Sequence, residues 1–275
     1  MPGALDVTLL PGAQALLALH ARELPQKDDL CGAFCLALAL RTGGVQTARG
    51  EEIDQDTVAL AAGSVVSALP QQDSLPHGET GRRDYRLSLP SIDDPKRSGT
   101  TAAGLLDAIG ELSGGALAAL PYTGPWTAGT LAGLFDHAAA LEHPVTLVVN
   151  FATRHLWGAG ASLRQLLAYL LDGEQEGPPP DWDVGHFACV IGRVTGPGGE
   201  LYALADTYPA LGNHGIHMQP RERLAHAIAR PDMPAGGVIV IAAAEDAAAV
   251  RRAAGALGLQ AGSWDNGTVA GTRGG

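Results

Sequence analysis

The sequence is short of aromatic residues, of cysteine and of clustered positive charge. Phe, Trp and Tyr make up 5% of its 275 residues, so a core must come mainly from Ala, Leu and Val. Three cysteines, Cys31, Cys35 and Cys189, cannot build a disulfide framework, and their odd number favours free thiols. There is no run of Lys and Arg, and the formal charge is −11, which argues against nucleic acid or an anionic membrane as partner. No apolar stretch approaches the roughly 18 residues of a membrane span. The N-terminus lacks the basic region of a secretory signal, so a cytoplasmic location is expected.

What is present suits one large domain. The hydrophobic fraction is 46%, and 37 glycines indicate loops and close backbone approaches. Residues 11–24 read as a helix opened by Pro11 and ended by Pro25. A second helix over 30–41 is apolar nearly all round, hence central and buried, with Gly43 and Gly44 closing it. Residues 54–69, 101–112, 127–141, 161–172 and 244–256 are further helical candidates, with Thr127 or Thr130 as a cap. β-branched runs at 145–150 and 237–242 read as strands. So do 186–194 and 200–206, joined by a Gly-rich turn that signals a hairpin. Residues 70–99 and 173–183 are rich in turn residues and read as surface insertions. Helices first and an antiparallel sheet afterwards give an α+β fold. The expected organisation is a catalytic domain over 1–245 and a C-terminal helix with a mobile tail over 246–275.

The chemistry gathers around one cysteine. Cys31 stands where a polar turn, with Asp28 and Asp29, becomes the buried helix. The helix start offers partial positive charge and backbone N–H groups to a thiolate. The two aspartates oppose ionisation of the thiol, so an adjacent imidazolium must do most of the activation. Gly32 would let a substrate approach the backbone. Gly185-His186 opens a strand, so the His186 ring projects from a rigid edge. Asp206 closes the next strand, and a hairpin turning at 196–199 brings it back beside His186. There it can hold the imidazole tautomer, with Gln26 as an amide donor to an oxyanion at the sulfur. Cys35 and Cys189 lie in apolar runs and read as core.

These residues resemble the papain-like cysteine peptidase superfamily, and its C39-like peptidases in particular. The likeness lies in the chain order: glutamine, Cys-Gly at a helix start, Gly-His on a strand, then aspartate after a hairpin. It implies a helical half packed on an antiparallel sheet half, with the site in the groove between. It also implies Cys31 as nucleophile, His186 as base, Asp206 as orienting acid and Gln26 as oxyanion donor. The glutamine here stands five residues before the cysteine, where six is usual in that superfamily.

The expected activity is therefore that of a peptidase or amidase working through an acyl-thioester, on a peptide or an amide-containing small molecule. Maturation of a specific peptide or natural product would suit it. Interception of the thioester by an amine, or a catalytically inactive binding protein on the same fold, are the alternatives. Gly185, Trp182 and His217 are expected near the substrate, His217 on a polar loop. Trp157 reads equally as subsite or core, and residues 150–155 as a solvated loop. His214 and His217 lack a third ligand, and no metal or other cofactor is expected.

Overall fold

The computed structural model describes residues 4–48 and 50–271, so the expectations placed on the extreme N-terminus and on the end of the tail lie partly outside the described residues. The N-terminal half is helical. After an edge strand, β1 (Asp6–Leu9), come α1 (Ala13–Glu23), α2 (Cys31–Thr42), α3 (Gln55–Ala62) and α4 (Ala102–Ser113). Two small ribbons lie among them: β2 (Thr47–Ala48) with β3 (Glu51–Glu52), and β4 (Val66–Ser67) with β5 (Ser91–Ile92). Helix α3 stops well before residue 69. Gly63 takes a left-handed conformation (φ 63°) that ends it, and Val66 then pairs as strand.

The second half supplies most of the sheet: β6 (Leu117–Thr123), β7 (Thr146–Ala152), β8 (Gly185–Thr195), β9 (Glu200–Ala205), β10 (Ile216–Pro220), β11 (Gly237–Ala243) and β12 (Gln260–Ala261). Helices α5 (Ala128–Ala139), α6 (Leu163–Asp172), α7 (Arg221–Ala229) and α8 (Ala247–Ala256) alternate with them. The strands run β10-β9-β8-β7-β11-β6-β12, with β1 paired to the far half of β8, and the pairings in this sheet are antiparallel. The fold is thus mixed α and β, with eight helices among the described residues and one large antiparallel sheet.

Both faces of the sheet are covered. Side chains alternate across a strand, so Val148, Phe187, Cys189 and Ile239 face α1–α4, whereas Leu147, Val149, Ala188 and Val240 face the opposite way. That second face is closed by Phe135 of α5, Leu224 and Ile228 of α7 and Val250 of α8. Helix α2 is the hub of the first face: residues 32–42 are buried, and it packs on α1, α3, α4 and β8. Full burial of a leucine such as Leu36 or Leu38 contributes about 1.5–3 kcal/mol each. Cys31 is therefore carried on a firmly anchored helix.

Several elements were not expected. Strand β6 carries Pro121, which has no N–H to give, yet it pairs with Ile239 of β11. Edge strand β10 interleaves His217 and Gln219 with apolar residues, which hides its period. The segment after Leu257, expected to be a mobile tail, instead packs as far as it is described. Trp264 is buried and donates from Nε1 to Asn150 Oδ1 (3.0 Å), Val269 N–H donates to Arg97 C=O (3.0 Å), and Gly271 N–H to Gly63 C=O (3.0 Å). It straps the sheet to the helical half.

Candidate active site

Cys31 is the first residue of α2 and is half-buried, while Cys35 and Cys189 are fully buried in the core. The turn before it is fixed by its two aspartates, which are spent on Ser67 and on the 70–99 insertion. Asp28 accepts from Arg82 N–H (2.8 Å), and its own N–H donates to Arg82 C=O (2.8 Å). Asp29, at a left-handed φ of 67°, accepts from Ser67 N–H (2.7 Å), Ser98 Oγ (2.7 Å) and Gln71 Nε2 (3.0 Å). The insertion is therefore tied to the turn that carries Cys31.

The β8–β9 hairpin does what its turn implied. His186 and Asp206, both 2% exposed, meet with Nε2 2.8 Å from Oδ1. Burial alone pushes the His186 imidazole down; the charge and hydrogen bond of Asp206, and then those of Cys31, outweigh it and hold it up at about 10. Burial likewise pushes the Asp206 carboxyl up, but His186 and His217 bring it well below the usual range. With Nε2 engaged by Asp206, Nδ1 is the ring nitrogen left for the thiol.

A second histidine holds the same carboxylate. His217 Nε2 lies 3.0 Å from Asp206 Oδ2, and its Nδ1 lies 3.0 Å from Gln219 Nε2. Gln219 is locked: its Oε1 accepts from Trp157 N–H (2.9 Å) and its Nε2 donates to Trp157 C=O (2.8 Å). An amide nitrogen can only donate, so His217 Nδ1 accepts and the proton sits on Nε2, directed at Asp206. His217 thus fixes the orientation of the Asp206 carboxylate. A third histidine, His20 on α1, donates from Nε2 to the Asp206 carbonyl (2.5 Å). Burial pushes His20 below its ordinary value, against the pull of that bond.

Gln26 belongs to the same network. Thr207 donates from Oγ1 to Gln26 Oε1 (2.5 Å), its N–H donates to Asp206 Oδ1 (2.7 Å), and its C=O accepts from Gln26 N–H (2.9 Å). Because Oε1 is taken by a hydroxyl, the Gln26 side-chain NH₂ points away from Thr207 as a donor. Over the ring of His186 lie Trp182, edge-on at 4.9 Å, and Tyr208, stacked at 6.5 Å. They screen the imidazole from water.

The four residues singled out as catalytic thus come together, and Trp182 joins them. The other expected substrate contacts are placed differently. His217 lies on β10, not a loop, and spends both ring nitrogens inside the protein. Gly32 turns its Cα inward, where an added Cβ would come within 3.2 Å of Leu105 and 3.4 Å of Phe187, so it packs against the core and not towards a substrate. Gly185 faces Arg230, whose Nη2 would lie 2.8 Å from an added Cβ. Trp157 is buried beneath the second insertion, where Gly177 passes so close that a Cβ would meet the indole at 2.3 Å. Residues 150–155 are not simply a solvated loop. Asn150 is 1% exposed and donates from Nδ2 to the His186 carbonyl (3.0 Å), while Arg154 pairs with Asp183 and Asp232 at the surface. His20, Thr207, Gln219 and Arg230 carried no motif; only the position of Thr207 beside Asp206 could have drawn notice.

Among the described residues, no group of three or more His, Cys, Asp or Glu side chains is placed to hold a metal ion, and no helix is long and apolar enough to cross a membrane. Residues 10–265 match the model of a family of unknown function, DUF6885, and the chain belongs to that family. No curated protein matches the chain.

Proposed function

We propose that this member of the DUF6885 family is a cysteine-nucleophile enzyme that cleaves a peptide or amide bond through an acyl-thioester on Cys31, with a papain-like site. One observation carries the reading: a single buried imidazole answers both to Asp206 on Nε2 and to Cys31. An imidazole held protonated at neutral pH is what a thiolate needs beside it.

In the proposed cycle the Cys31 sulfur attacks the substrate carbonyl while His186 holds the proton. The new oxyanion accepts hydrogen bonds from the Gln26 amide and from backbone N–H at the start of α2. The C–N bond then breaks, and His186 gives its proton to the leaving amine. Water attacks the thioester, His186 takes a proton from it, and the C–S bond breaks to free the acid and the sulfur. An amine in place of water would give a new amide by the same steps.

The test is to incubate the protein with an activated ester such as p-nitrophenyl acetate, quench, and map the adduct by mass spectrometry. Acylation confined to Cys31 and lost in Cys31→Ala is the expected result. Acylation that ignores Cys31 would refute the reading. Supplying a primary amine and measuring free acid against amide separates hydrolysis from acyl transfer.

A further inference from the structure

Arg230 is a buried cation without a carboxylate. It caps the C-terminus of α7 in a left-handed conformation (φ 47°) and is 3% exposed. Its side chain passes Gly236, where a Cβ would come within 2.7 Å of its Cδ, and reaches the end of the sheet where β8 begins. Nη1 donates to Asn150 Oδ1 (2.6 Å), Nε has no partner, and Nη2 lies against Gly185, the residue before His186. Among the described residues the one ionisable group that bears on it is the Cys31 thiol.

A guanidinium removed from water with one neutral partner is costly, and a chain keeps such a group where an anion will meet it. Everything around it holds it in place. Asn150 is fixed by Trp264 and by the His186 carbonyl, and both Gly185 and Gly236 leave room that any side chain would fill. The nitrogen left over is one short step along β8 from the base.

We propose that Arg230 is an anion-binding residue of the Cys31 site, and that the substrate carries a carboxylate which Nη2 receives beside Gly185. This rests on Cys31 being the nucleophile. A carboxylate fits the remaining donor edge as a charge-assisted hydrogen bond, whereas a dianion would meet the stronger repulsion of a chain with a net charge of −11. The site thereby selects peptides or amides with a free carboxylate near the cleaved bond over their neutral counterparts.

Two alkylating reagents of nearly equal size test this on the full chain: iodoacetate, which is anionic, and iodoacetamide, which is neutral. Rates at Cys31 are measured by peptide mapping in the wild type and in Arg230→Gln. The His186 imidazolium also favours the anion, so the readout is the change in the iodoacetate-to-iodoacetamide ratio. The expected result is a fall of about tenfold in that ratio in Arg230→Gln. Both rates falling together, with the ratio unchanged, would make Arg230 a support for the sulfur alone and overturn the proposal. Wild-type Cys31 reacting no faster than free cysteine with either reagent would remove the nucleophile itself, and this site with it. Should Arg230→Gln not fold, acetate, a monoanion, must slow iodoacetamide at wild-type Cys31 at constant ionic strength; no protection overturns the proposal.

Discussion

His186 and His217 grip opposite oxygens of one buried carboxylate, Nε2 to Oδ1 at 2.8 Å and Nε2 to Oδ2 at 3.0 Å. Their roles differ because their second nitrogens differ. Gln219 donates to Nδ1 of His217 and so engages its second nitrogen, while Nδ1 of His186 is left for the thiol. Asp206 is thus aimed by one histidine and used by the other.

Removing that carboxylate is expected to cost stability in a pH-dependent way. The Asp206 carboxyl is held below its ordinary 3.8, so its contribution is present above that value and lost as pH falls through the depressed one. His186 is raised from 6.5 to about 10, so its contribution is full below 6.5 and lost as pH rises toward about 10. Asp206→Asn should therefore be destabilised most between these ordinary values, by roughly 3 kcal/mol. Denaturant unfolding from pH 3 to 10 checks it, and a pH-independent difference would contradict it.

His217→Phe keeps an aromatic ring, a slightly larger one, but strips Asp206 Oδ2 of its donor. About 1–3 kcal/mol of stability should go. Alkylation of Cys31 should also slow near neutral pH, with its pH profile displaced, because the aspartate is no longer aimed. A stability loss with an unmoved profile would make His217 structural only.

Gln26 can be separated from the thiol. Alkylation forms no oxyanion, so Gln26→Ala should leave the iodoacetamide rate of Cys31 within about twofold, while turnover of p-nitrophenyl acetate falls about a hundredfold. Thr207→Val, which frees the Gln26 amide to rotate, should show a smaller loss of the same kind. Equal loss in both assays would place Gln26 elsewhere in the mechanism.

Much of this site was legible because local signals set it. The apolar run after Cys31 fixed a buried helix, and the Gly-rich turn at 196–199 fixed a hairpin that returns Asp206 to His186. The rest depends on contacts that leave no local trace. His20 reaches Asp206 across 186 residues, Asn150 reaches Trp264 across 114, and Arg230 reaches Asn150 across 80. The sequence predicts a loop at His217 because β10 alternates polar with apolar residues at the sheet edge. The Gly, Ser and Thr content of the tail predicts mobility, but backbone bonds to Gly63 and Arg97 hold it where it is described.

The reactivity of Cys31 separates a working site from an inert one most directly. Its rate with iodoacetamide near pH 6.5, followed by peptide mapping, should exceed that of free cysteine about tenfold, since few free thiols are ionised there. Buried Cys35 and Cys189 should stay unmodified, and His186→Ala should abolish the advantage. A Cys31 that reacts like free cysteine, or as fast without His186 as with it, would contradict the account.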